Sequence, residues 1–147
     1  GDAILLLGAL GEVTFTGYSA GIYTTSDGTA AYVTESTVSV DVNFFDLDQP
    51  LGFTTNNTTL TNIETGGGWT DGLPPDLNLG GTLTYDSGIN AFTGSVSAAG
   101  KTGLNGESLG QFYGPAAEEL GGVFSLTGSD GLEHYSGAYG AARPSVP

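Results

Sequence analysis

The sequence contains no cysteine, and it carries only two basic residues, Lys101 and Arg143, against 16 acidic ones. The absence of cysteine excludes disulfides, thiolate zinc sites, iron–sulfur clusters and a lipid-bearing cysteine in this chain. With a formal net charge of −14, the chain has no basic stripe to displace counterions from phosphate. We therefore expect neither nucleic-acid binding nor attraction to an anionic membrane surface.

No apolar run reaches the roughly 18 residues that a membrane-spanning helix needs. The stretch Ala3–Leu10 is apolar but too short, and we interpret 1–11 as an N-terminal arm or as the start of a first strand. As an arm it would add a strand to a neighbouring subunit, a known route to polymers. Its assembly residues would then be Ile4, Leu5, Leu6, Leu7 and Leu10. The chain begins with Gly rather than Met, which indicates a processed product or a fragment.

What the sequence does contain is alternation of polar and apolar residues, together with 26 glycines and 15 aromatic residues. The strand pattern is clearest in Thr37–Phe45, and Thr29–Thr34 is interpreted as a separate return strand after an Asp-Gly turn. About eight strands follow one another at short spacing. This favours an all-β, small closed antiparallel up-and-down barrel over 12–143, with a tail at 144–147.

Two segments depart from the alternating pattern. The stretch 115–120 predicts one short helix, because Pro115 suits a first helical position and acids follow it. Gly66–Asp76 is rich in glycine and proline and contains the only tryptophan. Trp69 and Asp71 are the candidate ligand-binding residues of this loop, since Trp is enriched at binding hot spots. The alternative is that Trp69 folds over the barrel mouth as a lid.

The last third of the chain carries a long pattern, FYGPAAEELGGVF, followed by GAYGAAR. This pattern resembles the C-terminal β-barrel domain of the transferrin-binding protein B family of Gram-negative surface proteins. The resemblance implies an eight-stranded barrel at the cell surface or outside the cell, in a family that includes transferrin receptors, binders of complement regulators and haem carriers. We assign structural roles to the signature residues, which are Phe112, Tyr113, Gly114, Pro115, Glu118, Gly121, Gly122, Phe124, Gly137 and Gly140. Gly114 and Pro115 would turn the strand into a helix, Glu118 would cap local backbone amides, and Gly121 with Gly122 would let the backbone pass a tight corner.

Few residues offer chemistry. His134 is the only histidine, and no nucleophile motif accompanies it, so we expect no enzyme. His134 and Tyr135 are of residue types that ligate haem iron, although barrel wall explains both more simply. Asp46 and Asp48 could offer oxygens to calcium, but they match no calcium-binding loop, so we predict no metal and no obligatory cofactor.

The sequence thus favours a non-enzymatic extracellular or cell-surface barrel that binds a macromolecular ligand, a host or environmental protein, or haem through its loops. The alternative is a structural subunit of an extracellular filament or surface layer, assembled by N-terminal strand addition. The expected partner is accordingly a protein ligand or a second copy of the chain, because fold alone does not fix function.

Overall fold

The computed structural model of the chain describes residues 11–70 and 72–144. Eight antiparallel strands follow one another and close into a barrel in which β8 returns to pair with β1. The predicted fold class is confirmed. The strands are β1 Glu12–Thr24, β2 Ala31–Asn43, β3 Leu51–Asn62, β4 Leu79–Asp86, β5 Ala91–Ala98, β6 Asn105–Tyr113, β7 Glu119–Thr127 and β8 His134–Ala142.

Alternating side chains explain why these segments form barrel strands. In β2 every second side chain, including Val38, Val40 and Val42, is buried inside the barrel, while the residues between them face outward. The two segments predicted at 29–34 and 37–45 are one continuous strand. A register shift against β3 lies between Glu35 and Thr37, so the pairing is irregular where the sequence pattern seemed to break.

The interior is filled largely by aromatic rings. Phe112 lies at the centre of one cluster, with ring centroids 5.8 Å from Phe15, 5.7 Å from Phe44 and 5.3 Å from Phe92. Such spacings are typical of attractive tilted and edge-to-face contacts. The barrel is therefore packed with side chains, as expected for eight strands.

The predicted helix at 115–120 is wrong. Gly114 and Ala117 both have positive φ, 90° and 51°, and the Ala117 amide donates to the Gly114 carbonyl to close a tight turn. Two left-handed residues within four positions cannot belong to an α-helix, and Glu119 already begins β7. Residues 11–70 and 72–144 contain no helix, and hence none long and apolar enough to cross a membrane.

The connections divide into two groups at opposite ends of the barrel. The terminal end carries 44–50, 87–90 and 114–118, together with the start of β1 and the end of β8. The loop end carries the other four connections, which are 25–30, 63–78 without residue 71, 99–104 and 128–133. The connection that contains Trp69 therefore belongs to the loop end, whereas the turn that contains Asp46 and Asp48 belongs to the terminal end.

The wall is least continuous between β3 and β4, which pair only from Leu51 opposite Leu83 to Thr54 opposite Gly80. Beyond that point Asn78 bridges the gap, because its Oδ1 accepts hydrogen bonds from the Thr58 amide at 3.2 Å and hydroxyl at 2.8 Å. The 63–78 connection therefore joins two strands whose loop-end parts are held together by Asn78 rather than by strand pairing.

Candidate functional site

The loop end contains a cleft of about 490 Å³, which we call the mouth cleft. The β1–β2 hairpin, the ends of the flanking strands, the 63–78 connection and the β5–β6 connection all contribute to it. The lining residues that matter below are Tyr23, Asp27, Tyr32, Trp69, Leu73 and Lys101. The exposed lining of the cleft is more polar than apolar, with the tryptophan ring and Leu73 set among the polar groups. Concave sites in which polar and aromatic groups converge are a common form of binding site.

Trp69 is half-buried and packs against the barrel core. Its ring stacks on Tyr32 with centroids 5.0 Å apart and planes tilted by 38°. The contact fixes the tryptophan at the barrel mouth, while its remaining surface lines the mouth cleft. Its role in recognition stays a prediction, and Asp71 lies outside the described residues.

A buried carboxylate joins three parts of the loop end. Glu133 is 6% exposed, and its Oε2 accepts a 2.5 Å hydrogen bond from the Tyr23 hydroxyl. The Lys101 ammonium lies 3.1 Å from the same oxygen. Burial, followed by the bond to Glu133, raises the pKa of Tyr23 well above its ordinary value. The phenol therefore remains a neutral donor, and strand β1 is tied to the connections after β5 and β7.

The hairpin rim holds an ionised aspartate. Asp27 Oδ1 accepts hydrogen bonds from the hydroxyls of Thr25 and Thr29, both at 2.7 Å, and from the Thr29 amide at 3.0 Å. These bonds, the Thr29 hydroxyl first, lower the pKa of Asp27 to about 2. The carboxylate is thus charged at any pH near neutrality.

An exposed apolar side chain stands in the lining of the cleft. Leu73 is 91% exposed and lines the mouth cleft, and Ile63 and Leu132 are exposed on other connections of the loop end. Because Phe45 and Ile89 are exposed in the same way at the terminal end, Leu73 is distinguished by its place in the cleft rather than by exposure alone. Sequence analysis missed Leu73, although its place between Gly72 and two prolines in the irregular stretch is a signal for an exposed loop residue.

The other candidate residues are placed apart from the mouth cleft. His134 is exposed and Tyr135 is buried, because neighbouring residues of a strand point to opposite faces. The two side chains therefore cannot bind one iron together. Asp46 Oδ1 accepts the Asp48 amide at 3.0 Å in a turn at the terminal end. The described ranges hold no group of three His, Cys, Asp or Glu side chains able to bind a metal. The candidate assembly residues of the N-terminal arm precede the first described residue.

The signature of the last third has a structural explanation at the terminal end. Glu118 Oε2 accepts the Ala116 amide at 3.3 Å, which agrees with the predicted capping role. Gly114 has a φ of 90°, a left-handed conformation that strains any residue with a Cβ, and a Cβ there would also displace the Glu118 carboxylate, which would lie 1.9 Å away. The Arg143 guanidinium donates to the carbonyls of Ala116 and Ala117 at 3.1 and 3.3 Å. The motif thus locks the β6–β7 turn against the end of β8.

The remaining signature glycines lie inside strands rather than at the predicted corner. Gly122 faces Tyr139 across β7 and β8, and a Cβ at Gly122 would meet the Tyr139 hydroxyl at 2.5 Å. The same hydroxyl shares a 2.8 Å hydrogen bond with Ser108. Gly122 therefore makes space for a large inward tyrosine.

Closed strand order, a packed interior and a cleft built by connections at one end define a closed β-barrel that presents loops on a packed scaffold. The profile of the family described as the C-lobe and N-lobe beta barrels of Tf-binding protein B matches residues 7–143, and the chain belongs to this family. The family is named for binding rather than catalysis. Curated protein sequences include no match to the chain.

Solved structures of transferrin-binding protein B share the fold. The isotype 1 protein from Neisseria meningitidis serogroup B is 23% identical, with a TM-score of 0.59, and the match covers 92% of this chain and 25% of that one. A double mutant from Haemophilus parasuis is 22% identical, with a TM-score of 0.54, and the match covers 93% of this chain and 26% of that one. A variant from Actinobacillus pleuropneumoniae is 16% identical with a TM-score of 0.54, covering 90% and 61%. The chain spans about a quarter of the length of the longer relatives.

Proposed function

We propose that the chain is a non-enzymatic barrel module of the bacterial surface or exterior, which binds a protein ligand through the loop end. The supporting observation is the mouth cleft, where the tryptophan face and the fully exposed Leu73 stand beside fixed polar groups. An aromatic anchor with apolar neighbours is the usual centre of a protein–protein hot spot. Because the structural relatives are transferrin-binding proteins, transferrin is the first ligand to test.

The rigid support of the loops favours this proposal. Tyr23, Glu133 and Lys101 connect three of the loop-end segments, and backbone bonds from Ala99 to Asn78 and from Gly100 to Asp76 join the β5–β6 connection to the 63–78 connection. Loops held in one arrangement lose little conformational entropy on binding. The same support makes the cleft a preformed site.

The test is to immobilise the barrel and measure binding of a panel of vertebrate transferrins by biolayer interferometry. We expect saturable binding of at least one transferrin, and about tenfold weaker binding by Leu73→Ala, equivalent to about 1.4 kcal/mol of lost apolar burial. Because Leu73 is almost fully exposed, this change leaves the fold intact.

The matched control is Ile89→Ala, which removes an exposed apolar side chain at the terminal end. We expect it to bind like the original chain. Failure of every transferrin to bind would reject transferrin as the ligand. Unchanged binding by Leu73→Ala, or loss only in the Ile89 control, would reject the loop end as the site.

A further inference from the structure

We propose that the mouth cleft receives a basic side chain, that of a lysine or an arginine, from the protein ligand. This inference rests on the proposed function and adds the chemistry by which the ligand is recognised. It is carried by the aromatic surface of the cleft, by the carboxylate at its rim and by the distribution of charge at the loop end.

The aromatic surface is that of Trp69. The ring packs on Tyr32, which is itself buried, so the accessible part of the stacked pair belongs to the tryptophan and lines the cleft. The negative face of an indole attracts a cation within about 6 Å of the ring centre, and tryptophan is the best aromatic residue for this contact. A lysine or arginine would also place its apolar stem against Leu73.

The carboxylate at the rim is that of Asp27, on the hairpin that lines the same cleft. All three of its hydrogen bonds go to Oδ1. No hydrogen bond from the described part of the chain reaches Oδ2, and the side chain is exposed. One oxygen thus holds the hairpin in place while the other is available to a donor from outside. The low pKa of Asp27, set chiefly by the Thr29 hydroxyl, keeps the group charged.

The surrounding charge selects against other ligands. The described connections of the loop end contain five acids, Asp27, Glu64, Asp76, Asp130 and Glu133, against the single lysine. That lysine is already paired with Glu133 at 3.1 Å, so it does not offer a positive site to an acidic group. A like-charged partner would be repelled and a basic one attracted, which is how charge complementarity sets specificity.

The sole tryptophan of the chain makes the cleft its own fluorescence reporter. The probes are N-acetylarginine amide and its neutral isostere N-acetylcitrulline amide, titrated into the intact protein at low salt. We expect a saturable fluorescence change with the arginine probe in the millimolar range and none with the citrulline probe, because only the former carries the cation.

The variant Asp27→Asn removes the charge while keeping an oxygen that accepts the Thr29 amide. We expect it to bind the arginine probe about threefold more weakly, the effect of one exposed ion pair. Asp86→Asn is the matched control, because Asp86 also accepts a turn amide, that of Gly88 at 2.9 Å, but lies at the terminal end. Equal binding of both probes, no saturable change with arginine, or an unaffected Asp27→Asn would overturn the inference.

The two proposals fail in distinguishable ways. If transferrin binding depends on Leu73 while the arginine probe does not saturate, the loop-end function stands and the basic-side-chain inference is wrong. If the arginine probe saturates through Asp27 while no transferrin binds, the cleft chemistry stands and transferrin is rejected as the ligand.

Discussion

Replacing Glu133 by Ala tests whether the loop end depends on its buried carboxylate. The change removes the acceptor of the Tyr23 hydroxyl and the counterion of Lys101. Tyr23 is 1% exposed, so its hydroxyl would be left unsatisfied away from water, at a cost of about 1–3 kcal/mol. The Lys101 side chain is 32% exposed, and the lost ion pair is therefore screened to about 0.5–1 kcal/mol.

Together these effects predict that Glu133→Ala lowers the free energy of unfolding by about 1.5–4 kcal/mol. For a domain of this size, at about 2–4 °C per kcal/mol, that corresponds to a melting temperature lower by roughly 3–16 °C. The measurement is urea unfolding followed by circular dichroism, with Glu107→Ala as the control. Glu107 is exposed on β6, and its removal should change stability by less than about 0.5 kcal/mol.

A double-mutant cycle isolates the contact itself. Tyr23→Phe and Glu133→Ala, made singly and together, should give a coupling energy of about 1 kcal/mol or more, because each change removes one partner of the same hydrogen bond. A loss below about 0.5 kcal/mol in Glu133→Ala, or additive single effects in the cycle, would refute the argument that this carboxylate holds the loop end together.

The remaining predictions concern space and protonation. Gly137→Ala should lower the free energy of unfolding by about 1–3 kcal/mol, because its Cβ would lie 2.3 Å from a carbonyl oxygen of β1. Gly140→Ala on the same strand is the control, since its Cβ would meet nothing within 4 Å and should change the free energy of unfolding little. Equal urea midpoints for the two variants would contradict this. The carboxyl carbon of Asp27, followed by NMR, should titrate near pH 2. The contribution of Asp27 to stability is fully present above its ordinary pKa of 3.8 and is lost as the pH falls through about 2. A titration midpoint near 3.8 would be the contrary result. Burial raises the pKa of Tyr135 and Tyr139 above 10.0, so the folded chain keeps protons that the unfolded chain releases at high pH. The urea midpoint should therefore be constant from pH 8 to about 10 and should fall at higher pH. A midpoint still unchanged at about pH 11 would count against this prediction.

The barrel could be predicted from the sequence because alternation is a local signal. Each inward residue of β2, such as Val40, is two positions from the next, and the same period repeats in the other strands. The helix prediction failed because proline and following acids suit a helix start and a tight turn equally. The turn is favoured by Arg143, just after β8, whose side chain donates to the carbonyls of Ala116 and Ala117.

The loop end was only partly predictable, because little of it follows from a local pattern. Trp69 was chosen as a candidate because a lone tryptophan in a glycine-rich loop is unusual in itself. Its support by Tyr32, and the Tyr23–Glu133–Lys101 cluster, join residues as far as 110 positions apart, a separation that no local pattern encodes. Sequence also gives no means of knowing that the hairpin and the 63–78 connection share one end until the strand order is known.

The start of β1 and the end of β8 lie at the same end of the barrel, and this has a mechanical consequence. The Phe44 amide donates to the Gly11 carbonyl, and the Arg143 amide donates to the Glu118 carbonyl. These bonds anchor the start of β1 and the end of β8 at the terminal end. The 13 residues of β1 extend about 43 Å along the strand, which at the usual barrel tilt is roughly 30 Å along the axis. A tether attached before β1 or after β8 would therefore hold the barrel at its terminal end and leave the mouth cleft at the opposite end, facing away from the point of attachment.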